Sequence, residues 1–201
     1  MRLFVAVLPP VAAVQELVDA VAPLRAAPEA ERLRWSGVEG WHLTLAFLGE
    51  LPVPEVPAVE ELLGRVAAGH GAHRLRLAGG GCFGDRVLWA GVAGEVWALR
   101  QLAEAVRGGV NELGVETDQY GFHPHLTLAR GGSAHGQRRA ERRAAAGGMQ
   151  VLAERLADFR GVEWEAAELH LVRSEQGFGA SRYTTLRKWP LARWEAQPSE
   201  G

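Results

Sequence analysis

The sequence predicts an α/β (α+β) fold built from two similar halves, and three observations carry that prediction. A pentapeptide, His-Leu-Thr-Leu-Ala, occupies residues 42–46 and recurs at 125–129, 83 positions further on. With on the order of twenty thousand position pairs and roughly three million pentapeptides, chance repetition is about a one per cent event, a few times more in a Leu/Ala-rich chain. Apolar residues switch repeatedly between a period of two and a period near 3.6, so strands and helices interleave. The 201 residues are 47% hydrophobic and 23% charged, enough for one domain with a sizeable core. The expected architecture is a single domain over 1–201. It is bilobal, with two pseudo-symmetric lobes, each a mostly antiparallel sheet backed by helices, and a cleft between them.

The elements follow in order. Residues 2–8 read as a buried strand, and Pro9-Pro10 lead into Val11, Val14, Leu17, Val18 and Val21 at helical spacing, which Pro23 is expected to end. Residues 24–40 are polar and loop-like, with Arg34-Trp35 as a short extended piece. A strand at 41–48 closes at Gly49 and Pro52. Pro54 opens a helix with the stripe Val56, Val59, Leu62, Leu63 and Val66, stopped by Gly69 and Gly71. Arg74–Leu77 alternates as a strand, Gly79-Gly80-Gly81 is a turn or bulge, and Arg86–Val92 returns. Val96, Leu99, Leu102, Ala103, Val106, Val110 and Leu113 define a helix over 95–113. The second motif strand, 124–130, begins at a proline, which suits a strand's first residue. Residues 131–148, Gly/Ala/Arg-rich and carrying a charged run at 138–143, read as the least ordered piece. A helix containing Met149, Leu152, Leu156 and Phe159 follows. Strands at 163–173 and 181–189, joined through Gly177–Gly179, complete the chain, whose last residues read as frayed.

Bulk properties exclude several classes. A net charge of −2 argues against coating nucleic acid through a broad positive surface, so any RNA contact is local. Cys82 is the sole cysteine, which rules out a disulfide framework and fits a reducing cytoplasm. The apolar amino terminus stops at two prolines and reads as a strand, not a signal peptide. No apolar run nears the roughly 20 residues that cross a bilayer. Nothing suggests heptads or an obligate interface, so a monomer without membrane contact is expected.

In each motif strand, side chains alternate, so His and Thr at i and i+2 share one face and the two Leu share the other. If His42 and His125 face one cleft with Thr44 and Thr127 beside them, the arrangement suits phosphodiester cleavage. That reaction needs a base for the attacking oxygen and an acid for the leaving oxygen, and imidazole, with a pKa of about 6.5, can fill either role near neutrality. The Thr hydroxyls can donate to non-bridging oxygens as charge builds. No metal or other cofactor is needed.

These residues also carry a resemblance. The opening Arg2-Leu3-Phe4-Val5-Ala6, the blocks His42–Glu50 and Phe122–Arg130, and the closing Ser174, Tyr183 and Trp189-Pro190-Leu191 are similar to the 2H phosphoesterase superfamily. Within it, the chain resembles the RNA 2',3'-cyclic phosphodiesterase branch, also called 2'-5' RNA ligases. The resemblance implies a bilobal fold and metal-free hydrolysis of an RNA-terminal 2',3'-cyclic phosphate to a 2'-phosphate, with nucleoside 2',3'-cyclic phosphates, RNA ends and tRNA halves as partners. It implies His42 as general acid on the leaving 3' oxygen, His125 as general base on water, and Thr44, Thr127 and Arg130 on the phosphate. Arg130 raises a geometric problem, because strict alternation points it away from His125 and Thr127. A bulge or strand end at Gly131-Gly132 would release it. The segment 131–148 is longer than the family pattern.

Other residues read more plainly. His123 is expected at the polar surface, and Phe47, of opposite parity to His42, in the core. Cys82 reads as a buried small apolar residue and the Trp residues as packing. His70 and His73 lack the carboxylate or Cys that would complete a zinc site. The glycine tract lacks the Gly-Lys-Ser/Thr of a phosphate loop, and the arginine run reads as a solvated face. His135 and His170 have no legible partner. Two other functions compete with hydrolysis: 2'-5' joining of RNA ends by the same groups, and a non-catalytic nucleotide or RNA-end binding module.

Overall fold

The computed structural model describes residues 1–117, 121–131, 139–176 and 181–193, and at 139–146 and 176 the backbone alone. The Gly177–Gly179 connection, Gly132, His135, the last eight residues and the side chains of the 138–143 run lie outside the described residues. The elements run β1 (Arg2–Val7), α1 (Val11–Arg25), β2 (Leu33–Trp35), β3 (Leu43–Glu50), α2 (Val56–Ala68), β4 (His73–Phe83), β5 (Val87–Gly94) and α3 (Val96–Glu112). They continue β6 (His125–Gly131), α4 (Arg139–Arg155), β7 (Trp164–Ala166), β8 (Glu168–Gln176) and β9 (Ser181–Pro190).

Strand alternation sets the layers. In β1, Leu3, Val5 and Val7 point to a core that also holds Leu17 of α1, Leu63 of α2, Leu102 of α3 and Leu152 of α4. All four helices therefore cover one face of the sheet, and burying each such side chain contributes roughly 1.5–3 kcal/mol. Phe4 and Ala6 point the other way, into a small cluster with Val172 and Tyr183.

The strands form one nine-stranded sheet in the order β7-β4-β5-β6-β3-β1-β8-β9, with β2 also on β6, and their ladders are antiparallel. The expected antiparallel sheets with helices behind are thus joined into one. The two motif strands, β3 and β6, are the join, and their pairing is confined to Leu43 opposite Leu126. Along that path four strands lie to each side of the seam, and β2 is the ninth, paired with β6. The one-residue link between β7 and β8 brings the outer parts together again, because it spans about 7 Å at most. Leu191 N donates to Ala167 O at the same corner.

Three local expectations need correction, and a fourth is resolved between its two alternatives. Pro23 does not end α1 but lies inside its last turn, two residues before Arg25, where the burial of Val21 and Leu24 outweighs one lost backbone bond. Of the turn or bulge expected at the glycine tract, the bulge forms: β4 runs through it with a register shift between Leu77 and Gly80, Gly79 has φ +67°, and the chain turns at Gly84. A Cβ on Gly81 would overlap the Trp89 ring and one on Gly80 would meet Leu156, so these two glycines leave room for neighbours on either side of the strand. The strand expected at 163–173 is two strands in different halves of the sheet, β7 on β4 and β8 on β1. Finally, α4 begins at Arg139, ten residues earlier than Met149, and carries Gly147 and Gly148 within it. Its Ala, Arg and Glu favour helix enough to offset two glycines costing about 1 kcal/mol each.

Candidate active site

The duplicated pentapeptides place their side chains as alternation requires. Leu43, Leu45, Leu126 and Leu128 are buried, whereas His42, Thr44, His125 and Thr127 are half-buried on the opposite face. Because Leu43 pairs with Leu126, extending the antiparallel register sets His42 across from Thr127 and Thr44 across from His125. The two histidines then lie two residues apart along the strand direction, about 7 Å.

The repeat also extends to its irregularities. Ala6 pairs with Thr44 and Val5 with Ala46, which leaves Leu45 as an extra residue in β3. Trp89 pairs with Thr127 and Leu88 with Ala129, which leaves Leu128 extra in β6. Each bulge falls three residues after its histidine and reverses the parity beyond it. Arg130 is thereby turned onto the His125 face, by a bulge at Leu128 and not at Gly131-Gly132. The equivalent residue of the first copy is Phe47. Contrary to the core position expected from unbroken alternation, it is 48% exposed and stands on the His42 face, 6.0 Å from the Phe4 ring.

A hollow of about 750 Å³ opens over the seam, lined by His42, Thr44, His125, Thr127 and Arg130. All five residues singled out in the sequence are therefore together. Arg2, Arg34, Phe47 and Tyr183 line it too, and Arg34 is the register partner of Arg130. Among the described residues no carboxylate pairs with Arg2, Arg34 or Arg130, so their charge is available to an anion.

The two imidazoles are housed differently. His42 stacks on Phe4 at 4.5 Å and meets the Tyr183 edge at 5.3 Å. Burial pushes its pKa down to about 4; a hydrogen bond to the Gly40 backbone opposes this, and the charges of Arg130 and His125 add to it. That His125 acts on His42 through its charge places both rings in one electrostatic environment. His125 Nδ1 donates to His123 O at 2.7 Å, which leaves the Nε2 lone pair free. Its pKa is also lowered, by burial first and then by the His123 and Arg130 charges, against the raising effect of the His123 carbonyl.

Other expectations are revised. His123 is not merely polar surface: its carbonyl fixes His125, and its ring packs on Trp89 at 4.9 Å. Cys82 is half-buried, with Sγ 3.4 Å from Gln150 Oε1. Among the Trp residues, Trp35 lines the hollow and Trp97 is exposed. His70 and His73 are each bonded to a nearby carbonyl, of Val66 and Gly71. Among the described residues, no group of three His, Cys, Asp or Glu side chains could hold a metal ion, and no helix is long and apolar enough to cross a membrane. Arg2 was legible in principle, since it shares parity with Phe4 against Leu3 and Val5. Arg34 and Tyr183 reach the hollow through strand neighbours that no local pattern announces.

A sheet seam that brings two half-buried imidazoles, two hydroxyls and, among the described residues, guanidiniums without a carboxylate partner into one hollow makes a candidate site on an α+β frame. The chain belongs to the 2'-5' RNA ligase superfamily, whose profile matches residues 9–178. It is 35% identical over 205 residues to the RNA 2',3'-cyclic phosphodiesterase of Thermus thermophilus, covering 95% of this chain and 90% of that protein. It is 39% identical over 100 residues to the RNA 2',3'-cyclic phosphodiesterase of Geobacillus stearothermophilus, covering 48% of this chain and spanning about a third, 32%, of that protein. The crystal structure of Escherichia coli LigT complexed with 3'-AMP superposes with a TM-score of 0.74 at 27% identity, over 96% of this chain and 98% of that one.

Proposed function

We propose that this chain is an RNA 2',3'-cyclic phosphodiesterase that hydrolyses a terminal 2',3'-cyclic phosphate to a 2'-phosphate without a metal. The observation that carries the reading is the pairing of Leu43 with Leu126, which sets His42, Thr44, His125 and Thr127 around one hollow. The cyclic phosphate sits over the seam, its non-bridging oxygens accepting from Thr44 and Thr127 and facing the Arg130 charge. His125, neutral and with Nε2 bare, takes a proton from water as that oxygen bonds to phosphorus. The P–O3' bond breaks on the opposite side, and His42 delivers a proton to the departing oxygen. The base leaves protonated and the acid neutral, and solvent resets both.

Burial makes His42 a poor proton carrier in the empty hollow, since a pKa of about 4 leaves about one molecule in a thousand protonated at pH 7. The anionic substrate opposes that effect, because a phosphate charge beside the ring favours imidazolium. The same groups run 2'-5' joining when a 5'-hydroxyl replaces water. Nucleoside cyclic phosphates, RNA ends and tRNA halves are the proposed substrates. The functional unit is one domain of two interleaved lobes meeting at the seam, monomeric and, in keeping with a single free cysteine, cytoplasmic.

The test is hydrolysis of cytidine 2',3'-cyclic phosphate in excess chelator. Sole formation of the 2'-phosphate, reduced at least a hundredfold in His42→Ala and in His125→Ala, is the expected result. Tight binding without turnover from pH 5 to 9 would favour the binding-module reading instead.

A further inference from the structure

A second hollow, of about 440 Å³, lies beside the first. The two share Thr44, Phe47 and His125, but His42 lines the first alone. Among the described residues, five of the eleven that line it carry aromatic rings: Phe47, Phe83, Phe122, His123 and His125. Phe83 meets His125 edge-on at 5.0 Å and His123 at 5.4 Å, so the base's ring is part of one wall. None of these aromatic faces is needed to hold a water nucleophile, whose share of liquid volume is about 30 Å³. The hollow is more than ten times larger, and its size and lining suit a flat organic group.

We propose that this aromatic hollow is the acceptor subsite for a nucleoside whose 5'-hydroxyl attacks the cyclic phosphate in place of water. The inference rests on the functional reading above, in particular on His125 as the base. In-line displacement puts the leaving 3' oxygen, with the ribose that carries it, on the His42 side of phosphorus. The attacking oxygen and whatever is bonded to it lie on the His125 side, which is where the second hollow opens. The acceptor's 5' oxygen bonds to phosphorus as P–O3' breaks, its proton passes to His125, and the 3' oxygen takes a proton from His42. A 2'-5' phosphodiester and a free 3'-hydroxyl result, with atoms and charge balanced. The acceptor base lies among Phe47, Phe83, Phe122 and His123, where stacking is tolerant of sequence.

The experiment follows the partition of an RNA half bearing a 2',3'-cyclic phosphate between hydrolysis and joining to a 5'-hydroxyl half. Gly121 lines this hollow alone, and a Cβ there meets nothing within 4 Å. Gly121→Trp should fill the space and lower the ratio of joined to hydrolysed product at least tenfold, while hydrolysis stays within twofold. Gly121→Ala should leave both unchanged. With the unaltered protein, adenosine should trap cytidine 2',3'-cyclic phosphate with saturation and at least a hundredfold better per mole than methanol, which has no base to bind. Equal trapping per mole, or no junction in the unaltered protein while it hydrolyses cyclic phosphate, overturns the subsite and leaves the hydrolase standing. A raised KM for the cyclic nucleotide in Gly121→Trp, with the product ratio unchanged, assigns the hollow to the substrate's own base. Absence of hydrolysis altogether removes the functional reading itself.

Discussion

His42 and His125 are the same side chain in the same pentapeptide, yet His42 is packed between Phe4 and Tyr183 while His125 is bordered by Phe83 and held by the His123 carbonyl. Both are pushed below the ordinary imidazole range, chiefly by burial. A buried histidine with a depressed pKa binds protons more weakly folded than unfolded, so its neutral form's stabilisation is complete above about 6.5 and is lost as pH falls toward 4. Thermal unfolding should therefore show stability declining between pH 6.5 and 4. His42→Phe, which keeps the stack on Phe4, should flatten part of that slope; an unchanged slope would mean His42 is not the buried titrating group. Among the described residues Arg130 has no acidic partner. Arg130→Ala should lower kcat/KM for cyclic phosphate about tenfold to a hundredfold, as loss of a charged hydrogen bond of roughly 1.5–3 kcal/mol implies, and an unaltered value would remove it from the phosphate site.

The elements show where the sequence was readable and where it was not. The alternation of β3 and β6 fixes which face carries His and Thr, and that much follows from residues 42–45 and 125–128 alone. The bulges at Leu45 and Leu128 do not, because an extra residue looks like any other buried Leu until its strand partner is known. Phe47, which unbroken alternation misplaced, and Arg130, whose bulge was expected at Gly131-Gly132, both lie beyond a bulge. Helices were legible wherever an apolar stripe ran, and less so at their ends, as Pro23 and the early start of α4 illustrate. The split of β7 from β8 at Ala167 has no local signature, since only pairing with β4 or β1 distinguishes the two. Leu126, fully buried at the single paired position of the seam, should be costly to truncate: Leu126→Ala is expected to destabilise by about 2–5 kcal/mol in chemical denaturation. A loss below 1 kcal/mol would mean that the seam is not packed as described.

For the whole molecule, the meeting of the two motif strands at one paired position in the middle of the sheet explains why a duplicated pentapeptide yields one site and not two. Each copy supplies one imidazole and one hydroxyl, and the register crosses them so that each histidine faces the other copy's threonine. The copies differ at the fifth residue after histidine, an arginine in one and a phenylalanine in the other, so a symmetric frame carries an asymmetric site, with a guanidinium at Arg130 and an aromatic ring at Phe47.

The most direct measurement of whether both imidazoles serve one phosphorus is the pH dependence of kcat/KM for cytidine 2',3'-cyclic phosphate in chelator. It should be taken for the unaltered protein, His42→Ala and His125→Ala. The acid must be protonated and the base neutral, so the unaltered protein should give a bell whose maximum lies below 6.5, as both lowered pKa values require. His42→Ala should retain only the rising limb and His125→Ala only the falling one. A full bell surviving in either variant would contradict the shared site.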